Sequence, residues 1–180
     1  MNHKVHIFKL LGNQSILTVL KYFLENPSGK YYLAQLTRTL KLSKVSVIKA
    51  LAALRSGGLL KAEKLGNSVF HYIDGNNTMV KELKKLNTIS YLFQELKFPV
   101  LLDFEVYLYG SAARGENDEK SDFDVLIITN KKTEVTDLLG TINNEKIKIL
   151  VLSPVQYASL FKTDKPFYER LEKDKLRLSS

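Results

Sequence analysis

The sequence predicts an α+β protein in two parts: an N-terminal region of short helices closed by a hairpin, then a linker helix, then a small mixed-sheet α/β region. Three observations predict it. Apolar residues recur every three or four positions through residue 55 and then alternate through two short strand-like runs. One long helical pattern follows Asn77 and stops before Pro99. Beyond it, strand-like runs at Phe104–Tyr109 and Ser121–Ile128 flank a polar loop. The expected boundaries are 1–76, 77–98 and 99–180.

Composition bounds the chemistry. Of 180 residues 44% are hydrophobic, ordinary for a globular protein, and no run approaches a membrane span. The first eleven residues are too short and mixed for a signal peptide. There is no cysteine, which excludes disulfides and thiolate metal sites. These features lead us to expect a cytoplasmic protein without a membrane partner. The net charge of +8 is unevenly placed. Residues 1–76 hold eleven Lys and Arg against three Asp and Glu, while 77–180 hold sixteen of each. A concentrated basic excess is the footprint of a polyanion binder. The bland alternative is a solvated face with surplus lysines.

The N-terminal elements follow in order. Asn13 or Ser15 caps a helix to about Glu25, with Ile16, Leu17, Leu20, Phe23 and Leu24 inward. Asn26-Pro27 ends it. Tyr31-Tyr32 reads as a short strand, and Leu33–Leu40 as a second helix burying Leu33, Leu36 and Leu40. Ser43 caps a third helix, Lys44–Arg55, burying Val47, Ile48, Leu51 and Leu54; Gly57-Gly58 stops it. Leu59–Leu65 and Ser68–Ile73 form a hairpin about Gly66-Asn67. Three helices and a hairpin in this order resemble the winged helix-turn-helix. The resemblance implies that the third helix enters a major groove, presenting Lys44, Ser46, Lys49 and Arg55. The wing would lay Lys61, Lys64 and Asn67 along the DNA backbone. A winged helix used only for protein contacts is the alternative.

Asn77 caps the linker helix, about Thr78–Lys97. Its apolar positions are Val80, Leu83, Leu86, Ile89, Leu92, Phe93 and Leu96. That stripe is wider than one internal face needs. It either packs between the two halves or pairs with a second chain, making a homodimer.

Residues 104–128 read FEVYLYGSAARGENDEKSDFDVLII. Gly110-Ser111 forms a tight turn after the first strand, and Asp122-Phe123-Asp124 opens the second. Gly-Ser, ten residues, then Asp-x-Asp resembles the polymerase-β-like nucleotidyltransferase superfamily. The form is most similar to the minimal nucleotidyltransferases of bacteria and archaea, some of which act as antitoxins that attach AMP to a toxin.

The chemistry fits the residue types. Nucleotidyl transfer accumulates charge on phosphate oxygens, and magnesium, as one ion or two, neutralises it. Magnesium prefers hard carboxylate oxygens. Asp122 and Asp124 are two apart on a strand and project from one face, which makes them the expected catalytic metal ligands. Gly110 lets the backbone approach a phosphate, and Ser111 donates to it. Arg114 and Ser121 are further expected phosphate contacts for a nucleoside triphosphate, ATP by resemblance.

One position departs from the family. Active members carry a third carboxylate on a later strand. The matching strand here, Lys146–Leu152, places Lys148 in that slot, and Glu145 lies three residues earlier. An odd offset points to the opposite face unless a bulge or shift intervenes. A lysine there would weaken or abolish turnover and leave triphosphate binding intact.

Two readings result. One is a magnesium-dependent enzyme transferring AMP to a protein or nucleic-acid acceptor, a HEPN-type toxin included. The other is a nucleotide-sensing transcription regulator without turnover. In the tail, Thr133–Leu139, Pro154–Phe161 and Lys165–Lys175 read as helices, with Tyr157, Phe161, Phe167 and Tyr168 as core. His3, His6 and His71 have no metal-ligand spacing and no assigned role.

Overall fold

The computed structural model describes residues 10–96, 104–140 and 144–179. The chain divides into two compact units at Leu83/Lys84. The division falls inside the long helix rather than after residue 76. The reason is packing: Val80 and Leu83 belong to the first core, and Leu92 and Leu96 to the second. The second expected boundary, at 98/99, and the helix end at Lys97 lie outside the described residues.

In the first unit, helix α1 spans Gln14–Glu25. Of the two candidate caps, Asn13 serves; its Oδ1 accepts the Ile16 N–H at 3.1 Å. Strand β1 (Tyr31–Tyr32) leads into α2 (Leu33–Leu40). Helix α3 (Lys44–Ser56) starts at Ser43, whose Oγ accepts the Ser46 N–H at 3.1 Å. After it, Gly58 takes the left-handed conformation at φ 73°. Strands β2 (Leu60–Leu65) and β3 (Ser68–Ile73) pair antiparallel, and β1 adds to β3, giving the order β1-β3-β2. Val19, Phe23, Leu36, Val47, Leu54 and Leu59 are wholly buried between helices and sheet.

One expectation fails here. Ile48 is 47% exposed, and Ala50 is buried instead. Positions 47, 50, 51 and 54 form the inward stripe of α3. Ile48 lies a sixth of a turn or more off that stripe, so its apolar side chain faces out.

Helix α4 spans Thr78–Glu95, and Asn77 Oδ1 accepts the Met79 and Val80 N–H groups at 2.8 and 3.3 Å. Met79, Leu86 and Phe93, seven residues apart on one face, stay exposed. Among the described residues no helix is long and apolar enough to cross a membrane.

The second unit is built on strands β4 (Glu105–Tyr109), β5 (Phe123–Ile128), β6 (Ile147–Leu152) and β7 (Leu176–Arg177), in the order β6-β5-β4-β7. Strand β5 runs parallel to β6 and antiparallel to β4, which is antiparallel to β7. The sheet is therefore mixed, as expected. Helices α5 (Gly110–Ala113), α6 (Lys132–Leu139), α7 (Pro154–Thr163) and α8 (Lys165–Asp174) complete it.

Alternation along the strands splits the core into two layers. Val106, Leu108, Val125, Ile127 and Ile147 pack with Leu92 of α4, Leu96 just after it and Val135 of α6. Tyr107, Leu126 and Ile128 pack on the other side with Leu171, Tyr157, Leu160 and Phe167 from α7 and α8. Phe161, expected in this core, is 53% exposed. It sits on the outer side of α7, edge-on to Tyr168 and under the Lys165 ammonium.

Candidate functional site

The Gly-Ser bend and the acid pair meet because β4 and β5 are neighbours. Their register pairs Tyr109 with Asp124, so the residue before the bend lies opposite the second acid. Gly110 has φ 74°, and a Cβ there would stand 2.6 Å from Asp124 Oδ2. Only glycine satisfies both conditions. The main chain thus approaches the carboxylate as closely as an unsubstituted Cα permits.

Asp124 opens β5 and is half-buried, whereas Asp122 lies just ahead of the strand and is exposed. The expected strand start at Ser121 is two residues early. Phe123, between the acids, packs into the core against Tyr91. Burial, and then the negative charge of Asp122, push the Asp124 carboxyl above the usual carboxylate range. The two acids are close enough to repel. Neither acid forms an ion pair among the described residues.

Strand β6 supplies the third position. Asp124 pairs with Lys148 in a parallel ladder running unbroken from Phe123↔Ile147 to Ile128↔Leu152. Partners in such a ladder share a face, so Lys148 stands beside Asp124. Glu145 lies in the exposed turn before β6, and no bulge brings it into the slot. Among the described residues no group of three or more His, Asp or Glu is placed to share a metal ion.

The remaining expected phosphate contacts are engaged locally. Arg114 forms ion pairs with Glu116 at 2.8 Å and Asp174 at 2.6 Å. Ser121 Oγ donates to Asp118 Oδ1 at 2.8 Å and accepts the Asp118 N–H at 2.9 Å. Ser111 is half-buried, and its carbonyl accepts the Glu116 N–H at 2.8 Å, closing the bend. Two lysines that the sequence did not flag hold the connecting loop. Buried Lys84 donates to the Asn117 carbonyl, and Lys146 Nζ donates to the Glu119 carbonyl at 3.0 Å. Neither loop anchor belongs to a motif, so no spacing signals it.

In the first unit, Lys44, Lys49, Arg55, Lys64 and Asn67 are exposed. Ser46 is half-buried, with its Oγ 2.9 Å from Ser43 Oγ. Lys61 pairs with Asp74 at 2.5 Å. Lys44, Arg55 and Asn67 line one cleft between α2, α3 and the hairpin, together with Arg38 and His71. The sequence singled out neither Arg38 nor His71; one sits among the polar residues of a short helix, and the other lacks a partner histidine.

The second unit thus sets a glycine bend at the end of β4 beside two acids at the start of β5, in a mixed sheet. Residues 89–177 match the family model of the nucleotidyltransferase domain, so the C-terminal unit carries such a domain. Two solved structures are similar to parts of the chain. Reduced HlyU from Vibrio cholerae N16961 is 24% identical over 49% of this chain and 82% of its own, with a TM-score of 0.37. A Sulfolobus solfataricus protein provisionally assigned as a nucleotidyltransferase is 18% identical over 58% of this chain and 90% of its own, with a TM-score of 0.35. No curated protein matches the chain.

Proposed function

We propose that this chain is a magnesium-dependent nucleotidyltransferase that moves AMP from ATP to a protein or nucleic-acid acceptor. The observation that carries the reading is the Asp124 carboxylate held against Gly110, with Asp122 beside it. Two repelling carboxylates of hard oxygen suit a divalent cation that completes its shell with phosphate and water. Asp122 and Asp124 would hold the ion, which neutralises charge on the triphosphate when bound. The Gly110 main chain and the Ser111 hydroxyl would orient the β- and γ-phosphates. An acceptor hydroxyl would give its proton to solvent and attack the α-phosphorus; the new P–O bond forms as the bond from that phosphorus to the α–β bridging oxygen breaks, and pyrophosphate leaves with that oxygen. Arg114 and Ser121 would reach phosphate only by leaving their present partners. The test is transfer from α-labelled ATP with magnesium. Label on an acceptor that disappears in Asp122→Ala supports the reading; ATP binding with no transfer to protein, RNA or a HEPN-type toxin overturns it.

That second outcome is the alternative reading, a nucleotide-sensing regulator without turnover. The register partnership of Lys148 with Asp124 favours it. A lysine in the third position supplies no carboxylate for a second metal ion.

We further infer that the first unit is a winged helix that binds DNA in the cytoplasm. Its basic excess supports this, as do the exposed Lys44, Lys49, Arg55, Lys64 and Asn67. Ser46 and Lys61 would add contacts at the rim. If four to six phosphates are neutralised, log K falls with log salt at a slope of roughly −4 to −5. Salt-independent binding overturns it. The exposed Met79, Leu86 and Phe93 stripe supports a homodimer through α4. A monomeric mass by light scattering at micromolar concentration would contradict the dimer.

A further inference from the structure

The cleft in the first unit has a volume of about 750 Å3, within the range of small-molecule sites. Its walls are mostly apolar, formed by Leu33 of α2, Ile48 and Leu51 of α3 and Val69 of β3. Ile48 and Val69 are 47% and 44% exposed and β-branched, an unusual choice for a surface that meets only phosphate. The cleft carries no acid. Arg38, Lys44 and Arg55 line it, and none has an ion pair among the described residues. Three of this unit's acids are committed elsewhere: Glu25 to Lys21, Glu63 to Lys30 and Asp74 to Lys61.

His71 lines the same cleft. It is 7% exposed, and its buried Nδ1 has no hydrogen-bond partner among the described residues. Buried polar atoms are nearly always satisfied, so an orphan beside a cavity points to a bonding partner outside the chain.

We propose that this cleft binds a small amphipathic organic anion: an aromatic or aliphatic body on Leu33, Ile48 and Val69, with a carboxylate or sulfonate head between Arg38 and Arg55. The body removes exposed β-branched surface from water. The head takes charge-assisted hydrogen bonds that none of the described residues supplies. A polar group on the body would meet His71. This assignment is independent of the nucleotidyl-transfer reading, but it shares Lys44, Arg55 and Asn67 with the DNA reading, so ligand and duplex would compete for the cleft.

The experiment uses the full chain and two fluorescent probes, 8-anilinonaphthalene-1-sulfonate and its uncharged parent N-phenyl-1-naphthylamine. The sulfonate should bind one per chain. Arg38→Gln and Arg55→Gln should each weaken it about tenfold and leave the uncharged parent unchanged. Val69→Trp, at an exposed position, should fill the cleft and abolish both, with an unchanged circular dichroism spectrum. Non-saturating sulfonate binding, or binding indifferent to both arginines, overturns the proposal. So does a duplex of 20 base pairs that binds through these arginines while neither probe binds one-to-one; the cleft is then a backbone groove alone.

Discussion

The two units handle charge in opposite ways. In the first, Glu25, Glu63 and Asp74 are consumed by lysines on the periphery, and the arginines of the cleft are left without an acid among the described residues. In the second, the arginine of the motif is consumed by Glu116 and Asp174, and the acids are left to repel each other. Net charge finds only the first pattern, because the second unit is neutral overall. What the contrast teaches is that unsatisfied charge marks a site better than total charge does. Holding like charges together costs stability, which a bound counter-ion or a proton restores.

The largest expected effect breaks the second pattern. Asp124→Ala should lower nucleotidyl transfer by about a hundredfold or more, read with labelled ATP. Salt-dependent DNA binding should be untouched, and equal loss of both would mean simple unfolding. Next comes the backbone. Gly110→Ala places a methyl group against a carboxylate at positive φ and should cost the fold about 3 kcal/mol. Gly66→Ala, at φ 58° with nothing within 4 Å, should cost only about 1 kcal/mol. Chemical denaturation of both variants measures the difference; equal costs would show that the Asp124 contact is unimportant.

Lys148→Glu should raise divalent-cation affinity at least about tenfold, by removing one positive charge and adding a negative one beside Asp124. Titration calorimetry with magnesium or manganese reads this, and an unchanged affinity would place Lys148 outside the site. The smallest effect belongs to His71. Burial, then the Arg55 charge, lowers its pKa below the usual 6.5. The unfolded chain therefore takes up a proton that the folded chain resists. Stability is unaffected above pH 6.5 and declines below it, by no more than about 1.4 kcal/mol per pH unit. His71→Gln should flatten that part of the pH dependence of the thermal midpoint.

Much of the fold was legible because its signals are local. Asn13, Ser43 and Asn77 cap helices as their side chains predict, and Gly58 and Gly66 turn where glycine is needed. The acid pair and the bend were legible as a motif. Their contact was not, since it depends on the β4–β5 register that pairs Tyr109 with Asp124. Ile48 was misassigned because Ala50 carries too little apolar signal to define the stripe by itself. Strand β7 was missed because two residues hold no periodicity. The unpaired state of Arg38 and Arg55 is tertiary information: it depends on where three distant acids find their lysines.

Strand β7 has a consequence for the chain's solubility and its chemistry alike. It covers the flank of β4, with Leu176 and Arg177 opposite Leu108 and Tyr107, and Ser179 Oγ accepts the Val106 N–H at 3.1 Å. Proteolytic trimming back to residue 175 would bare the hydrogen-bonding edge of the very strand that delivers Gly110. Naked edges recruit other chains. Residues 176–179 therefore guard both against fibre-like association and against wandering of the bend that follows β4.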